Sequence, residues 1–577
     1  HHGGTLKAGG WLLLPLQTMW LLLLLRSCLA ASAPPGGDVV PAAAASAGGP
    51  AARQRIAYVT NTWWPKVDGA AITVMGHARY FSEHGHDVLV VRPSYPDDSP
   101  VWERAVEAGM ASDPVPPSPT LQFLSYRMVG NRGGGFEPEM DASDLSRVEK
   151  GLTAWEPNIV LVVDPDYFVL DTFRVPGLNT LMQLPSPPTM IACMTTFCIE
   201  AIRKMPEYWW LNYAPAHALF RQGLATSYGQ FDHIFVNGDQ SAAYLRPMTV
   251  LRGSSWEPLP PARVVKSRGV PADFCTALPE ADCAAERAVS LMRERPRGHV
   301  AFLYVGRLSF DKSVDELVAA FEAARRSGRA KRATLYLAGS GELEPLVHAA
   351  ADRLGPASVI HLGQVSHRRV SCVLREADAY VSAAHNETYG RSLVEALRCG
   401  LPVVTMASCN MHVDHGKSGL LGEGTAELTE HISMVADDEA LRTRLAANAQ
   451  AYDGATDGPS DAPGAMLRAV LDAQEATLRG PRIRRAWHPF WSCWMRASSL
   501  DGAALLGRRP LTLPSHLRRC LSLVLDHPGW TSLAITLASA AFMYAAWLCL
   551  SSGAVRRIEA ETDTAHARRC EESRWLR

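Results

Sequence analysis

The chain has no excess of either charge: 57 Lys and Arg stand against 58 Asp and Glu, a net charge of −1. Without a basic surplus, a nucleic-acid polymer is not an expected partner. The 12 cysteines are scattered and none forms a C-x-x-C pair. A zinc ribbon or a small disulfide-stapled domain is therefore not expected. Hydrophobic residues make up 47% and charged residues 20%, which excludes wholesale disorder and collagen-like repeats. At roughly 100–200 residues per domain, the 577 residues fill about three to five units, or two large ones with extensions.

Two apolar segments bracket the body. Residues 11–31 are interrupted by Pro15, Gln17, Thr18 and Arg26. Read from Met19, a short apolar core runs into Ala31-Ser32-Ala33, the small residues of a cleavage site. That pattern fits a signal sequence better than a membrane span, with a single anchor over 11–31 as the other reading. Residues 33–52, mostly Ala, Gly, Pro and Ser, read as a flexible linker, so 1–52 is set apart from the body. Residues 530–550 run without a charge, long enough for roughly 30 Å of helix. Trp530 and Trp547 sit near its ends, where interfacial aromatics belong. A single C-terminal transmembrane helix is expected there, preceded by a basic and aromatic juxtamembrane region (481–529) and followed by a tail (551–577). The protein is accordingly expected on a membrane, of an endomembrane or an organelle envelope, on a side the sequence leaves open.

The body reads as two α/β halves. In the first (53–265), apolar strands at 55–60, 87–91, 159–163, 189–192 and 233–236 accompany a helix at 71–84. Strand, loop, helix and strand at this spacing make a βαβ unit and demand a parallel sheet. After a linker near 266–298, a second series (299–480) has strands at 299–305, 334–338, 359–362, 379–382, 402–405 and 419–422, with helices between them. Ser313-Val-Asp-Glu316 has the spacing of a capping box and opens the first of these helices. The expected fold is two Rossmann-like, doubly wound domains facing a cleft, with ligands at the carboxyl ends of the strands.

Those strand ends carry a distinctive set of side chains. Gly306-Arg307-Leu308 and then Lys312 follow the first strand of the second half. An Arg and a Lys on a loop entering a helix can grip a diphosphate from two directions. Gly339-Ser340-Gly341 follows the next strand, as an ordinary turn or as a place where backbone approaches a ligand. Further on come Asn386-Glu387-Thr388-Tyr389-Gly390-Arg391-Ser392-Leu393-Val394-Glu395. Glu387 and Glu395 are separated by about 12 Å if the stretch between them is helical. Two acceptors at that separation suit the sugar hydroxyls and the ribose hydroxyls of a nucleotide sugar, with helix N–H groups between them for the phosphates.

Gly306-Arg-Leu-x-x-x-Lys312, Glu387-Thr-Tyr-Gly-x-x-x-x-Glu395-Ala, Gly400-Leu-Pro-Val-Val404 and Gly416-Lys-Ser-Gly-Leu-Leu421 resemble, in order and spacing, the retaining glycosyltransferase family 4. The first half is similar at Thr62-Trp-Trp-Pro65-Lys-Val-Asp-Gly69, at Pro157 to Pro165, and at Ser267-Arg-Gly-Val270, where Pro271 replaces the usual Asp. The resemblance implies a GT-B fold with an N-terminal acceptor domain, a C-terminal donor domain and a nucleotide-diphosphate sugar as donor substrate. It implies Glu387, Arg307 and Lys312 as catalytic residues: the cations meet the departing diphosphate and Glu387 holds the sugar. Donor binding would involve Gly69, Gly306, Gly339, Gly341, Tyr389, Gly390, Arg391, Ser392, Leu393 and Glu395, the last on the ribose. No metal and no cofactor is implied, because cationic side chains and helix dipoles can stabilise the leaving group.

One position departs from the pattern. Where the family often carries His, aligning on Thr195 places Met194, whose thioether neither donates a hydrogen bond nor serves as an acid or base. A membrane-anchored nucleotide-sugar-binding protein without turnover is therefore the runner-up, with a related GT-B epimerase or phosphorylase behind it. The acceptor region is expected around Met194, Arg203 and Lys204, where basic residues precede Tyr208, Trp209 and Trp210. That mixture reads as an aromatic core with a solvated basic pair, or as a membrane-docking surface that admits a lipid. A lipid or lipid-linked glycan is the expected acceptor.

Overall fold

The computed structural model describes residues 53–480, apart from breaks at 67–68, 96–98, 108–111, 130–138, 141, 166–180, 182–183, 205–211, 213, 253–254, 267–268, 272, 356, 410–411 and 453–461. The leader-like segment and linker, the juxtamembrane region, the apolar 530–550 segment, the tail and Tyr208-Trp209-Trp210 all lie outside the described residues. Among the described residues no helix is long and apolar enough to cross a membrane.

The first half is built on β1 (Arg55–Val59), β2 (Asp87–Ser94), β3 (Leu121–Val129), β4 (Glu139–Met140), β5 (Ile159–Val163), β6 (Thr189–Met194) and β7 (His233–Val236). A hairpin, β8 (Thr249–Arg252) and β9 (Ser255–Pro258), precedes the last strand, β10 (Ala262–Val264). The sheet order is β10-β7-β6-β5-β1-β2-β3-β4. All pairs are parallel except β3 with β4. β5, IVLVV, is buried at every position, as a strand covered on both faces of a parallel sheet must be. Helix α1 (Gly69–Glu83) buries Ala71, Val74, Met75, Ala78 and Phe81, the spacing of one helical face. A short helix, α2 (Cys198–Ile202), follows β6.

The second half contains β11 (Val300–Val305), β12 (Ala333–Ala338), β13 (Val359–Gly363), β14 (Ala379–Val381), β15 (Val403–Met406) and β16 (Gly419–Gly422). They are wholly parallel, in the order β13-β12-β11-β14-β15-β16. The winding reverses between β11 and β14, which are neighbours, and in sheets of this kind ligands bind at the carboxyl ends of the strands where the order reverses. Both motif-bearing loops leave the sheet there, residues 306–312 after β11 and residues 382–390 after β14. Helix α3 (Val314–Arg326) follows the first loop and α4 (Arg391–Arg398) the second. α3 buries Val314, Leu317, Val318, Phe321 and Ala324 against the sheet, with acidic residues in its first turn and basic ones in its last.

Three parts of the chain differ from the sequence reading. The sequence reading does not include β3, β4, the hairpin and β10; β10 lies on the sheet edge, paired with β7. The segment expected to be an interdomain linker is folded instead. Its helices Glu280–Ala284 and Arg287–Arg293 bury Cys283, Ala288, Val289 and Met292 in one cluster with Leu303, Tyr380 and Leu397. Disulfides Cys275–Cys399 and Cys283–Cys372 join it to the second half; the partners lie 124 and 89 residues apart, so no local cysteine spacing marks them. Finally, helix α5 (Ala462–Arg479), placed by sequence in the second half, packs on the first. Met466, Leu467, Val470 and Ala473 bury beside Ile56, Ile191 and Phe235. Gln474 Nε2 donates to Gln54 Oε1 at 2.8 Å, and His233 Nε2 meets Thr477 Oγ1 at 2.8 Å.

Candidate active site

The loop after β11 is held by its own backbone. Leu308 N–H donates to Ser340 C=O at 2.9 Å and Leu343 N–H to Leu308 C=O at 2.9 Å, so this loop lies directly against Gly339-Ser340-Gly341. A β-carbon on Gly339, whose φ is +141°, would fall 1.9 Å from the Gly306 carbonyl oxygen. Glycine is required there by loop-on-loop packing alone. Tyr304 Oη donates to the Arg307 carbonyl at 2.7 Å, and burial pushes its phenol well above the ordinary value, so it remains a neutral donor.

Arg307 Nη2 donates to Asp311 Oδ2 at 2.8 Å, while Ser309 Oγ donates to Asp311 Oδ1 at 2.5 Å. Burial pushes the Asp311 carboxyl up, but Arg307, Lys312 and Ser309 together outweigh it and hold it below the ordinary value. Asp311 is thus an ionised brace for Arg307. Lys312 closes a short 3₁₀ turn, Phe310–Lys312, and its Nζ reaches Glu387 Oε1 at 2.5 Å. The structure therefore brings the catalytic candidates Lys312 and Glu387 into direct contact, with Arg307 on the same loop.

Gly390 caps α4 with φ +68°, a conformation that favours glycine, and no side chain caps that helix. Tyr389 and Leu393 are buried, and Ser392 Oγ accepts from Tyr380 Oη at 2.8 Å. Glu395 is only 3% exposed. Arg391 Nε at 2.9 Å and His367 Nε2 at 3.1 Å both meet its Oε1. Burial drives this carboxyl up, and His367 with Arg391 outweighs it, leaving it below its ordinary value. His367, in a turn after β13, is a partner the sequence gave no reason to select.

In the first half, Gly69 opens α1; a β-carbon there would meet nothing within 4 Å among the described residues, so packing does not impose glycine. Asp164, with φ 45°, ties β5 to the end of β6: its carboxylate accepts from Thr195 N–H at 2.5 Å, from Thr196 N–H at 3.1 Å and from the Thr195 hydroxyl. Met194 is 1% exposed in the core of the first half, and Thr195 follows it at this strand end. Thr388 Oγ1 donates to the Thr195 carbonyl at 2.5 Å, beside Glu387 in sequence.

Arg203 and Lys204 are not the solvated pair that the sequence allowed. Arg203 Nη1 pairs with Glu200 Oε2 at 2.8 Å. Lys204 Nζ donates to Ser313 Oγ at 2.7 Å and to Glu316 Oε1 at 3.0 Å, both on the other half. Ser313 and Glu316 occupy capping-box positions on α3, yet the Ser313 side chain makes no capping bond. Glu316 Oε2 instead meets His385 Nε2 at 2.8 Å and accepts from Thr425 Oγ1 at 3.2 Å. Burial raises the Glu316 carboxyl, but His385 and Lys204 outweigh this and bring it down to about 2. Among the described residues no three His, Cys, Asp or Glu side chains converge as a metal site requires.

Two doubly wound parallel sheets with such loops at a switch point define the GT-B class of fold. The solved sucrose-phosphate synthase from Thermosynechococcus elongatus superposes with a TM-score of 0.53 at 18% identity, covering 73% of this chain and 100% of that one. Residues 293–452 match the family model of the glycosyl transferases group 1. Over 158 residues the chain is 32% identical to a glycogen synthase of Mycobacterium tuberculosis, across 26% of this chain and 38% of the relative. Over 151 residues it is 27% identical to the alpha-monoglucosyldiacylglycerol synthase of Acholeplasma laidlawii, across 26% and 37%. The chain thus spans well under half the length of these curated relatives.

Proposed function

We propose that the protein transfers a hexosyl group from a nucleotide-diphosphate sugar to a lipid or lipid-linked acceptor, with retention of anomeric configuration. The observation that carries this reading is the Lys312–Glu387 ion pair at the switch point of the second sheet. An incoming diphosphate competes for Lys312. Once Lys312 turns to the phosphates, the Glu387 carboxylate is released to accept sugar hydroxyls. Arg307, braced by Asp311, adds a second fixed cation for the leaving diphosphate. These cations take the charge that a metal ion takes in other transferases. Glu395, oriented by Arg391 and His367, is placed deeper along α4 for the ribose.

The lipid acceptor is supported by the apolar 530–550 segment and by the name of the Acholeplasma relative. The two disulfides support a membrane protein whose body faces an oxidising compartment. The reading without turnover drew on Met194, a buried residue that supplies no acid or base, and consumption of the donor in the test below separates the two readings. The test is to incubate the full chain in vesicles with radiolabelled nucleotide sugars, with and without an added membrane-lipid extract. Label is expected in the chloroform phase only when the extract is present. Label passing solely to water-soluble acceptors overturns the lipid assignment.

A further inference from the structure

The loop that carries Glu387 is fastened to the opposite half of the protein on both sides of that residue. Thr388 Oγ1 donates to the Thr195 carbonyl at 2.5 Å, and Asn386 Nδ2 to the Glu200 carbonyl at 3.4 Å. His385 is tied at one remove: its Nε2 lies 2.8 Å from Glu316 Oε2, and the other oxygen of that carboxylate accepts from Lys204 of the first half at 3.0 Å. Glu316 is a two-sided connector, one oxygen for each half. Lys204 also donates to Ser313 at the start of α3, beside Lys312 in sequence. The Lys204 and Glu316 side chains are 24% and 30% exposed, so solvent screens the link only in part.

We propose that Lys204 is a positioning residue: through Glu316 and His385 it sets the loop that holds Glu387. Closing of the two halves is thereby transmitted to the sugar-binding carboxylate, and the loop is ordered only while the acceptor wall is docked. Lys204 touches neither reacting group, so its effect belongs in turnover and not in donor affinity. The kinetic part of this inference rests on the sugar-transfer reading; the structural part does not.

The test uses the full-length protein and the variants Lys204→Met, Lys204→Arg and Glu316→Gln, compared with a control at exposed Lys331→Met. Amide exchange without any ligand is measured first. Lys204→Met and Glu316→Gln should speed exchange across residues 384–388 by about tenfold, whereas Lys204→Arg and Lys331→Met should leave it near wild type. Unchanged exchange in both Lys204→Met and Glu316→Gln overturns the proposal, whatever the activity. Should Lys204→Met fail to fold, Glu316→Gln, which keeps the side-chain shape, decides. In nucleotide-sugar turnover, Lys204→Met should lower kcat by about tenfold with KM for the donor within about twofold, and Lys204→Arg should restore it. A rise in KM at constant kcat overturns the positioning role. If wild type consumes no donor while exchange responds as stated, the transfer reading fails and the link between the halves stands.

Discussion

Replacing Lys312 by Met should weaken binding of a nucleoside diphosphate by roughly 2- to 30-fold, and the ion pair at the site sets that range. A charge-assisted bond from Lys312 to a phosphate oxygen contributes roughly 1.5–3 kcal/mol. Before making it, Lys312 must leave Glu387, 2.5 Å away, in a pair whose side chains are 24% and 21% exposed. A pair of this kind, still in partial contact with solvent, contributes on the order of 1 kcal/mol. The difference, about 0.5–2 kcal/mol, gives the stated loss in affinity. The same competition predicts an opposite sign at the partner. Glu387→Gln frees Lys312 and should tighten bare diphosphate binding, by up to about fivefold, even as it removes the sugar contact. The assay is calorimetric titration of UDP, ADP and GDP at one fixed ionic strength, because the pair is screened by salt. Equal affinities for wild type and Lys312→Met, or weaker binding in Glu387→Gln, would refute this reasoning.

Three other outcomes are expected. Glu316 falls from 4.5 to about 2 in the folded chain because His385 and Lys204 outweigh the opposing burial. The unfolded chain then binds that proton more tightly, so a contribution on the order of 2–3 kcal/mol is complete above about pH 4.5 and is lost as pH drops toward 2. Denaturant titrations between pH 5 and 3 should show wild type losing stability that Glu316→Gln does not lose. Cys275–Cys399 and Cys283–Cys372 close spans of 124 and 89 residues. Reduction should remove about 2–4 kcal/mol per bridge, read as a lower midpoint in dithiothreitol and as four extra alkylated cysteines by mass. Gly339→Ala forces a β-carbon to 1.9 Å from the Gly306 oxygen, so the two loops must part. A melting temperature several degrees lower, by about 2 kcal/mol or more, is expected from calorimetry, and an unchanged one contradicts the packing.

Most buried parallel strands and the motif loops were legible because they depend on local pattern. Runs such as IVLVV at β5 and VAFLYV at β11 mark buried parallel strands, and the loops after β11 and β14 carry their residues in sequence order. What escaped was set by contacts distant in sequence. Nothing near Cys283 points to Cys372, and nothing in α5 distinguishes packing on the first sheet from packing on the second. Ser313 and Glu316 satisfied a local rule for capping, but a lysine 112 residues away from Glu316 offered a stronger partner. Gly339 taken alone reads better as a turn than as a place of ligand approach, and the nearby Gly306 carbonyl accounts for it. Met194 could be aligned to a family position, yet strand alternation turns its side chain into the core.

In the proposed activity, Lys312 and Glu387 carry transfer from a nucleotide-diphosphate sugar. The most direct measurement is phosphorus NMR of the full-length protein in vesicles with a membrane-lipid extract, supplied in turn with UDP-, GDP- and ADP-sugars. The wild type should release nucleoside diphosphate from at least one donor. Glu387→Gln should release it about a hundredfold more slowly, through loss of one or two charged hydrogen bonds to the sugar. Release at equal rates by wild type and Glu387→Gln, or no release from any donor, would contradict the account.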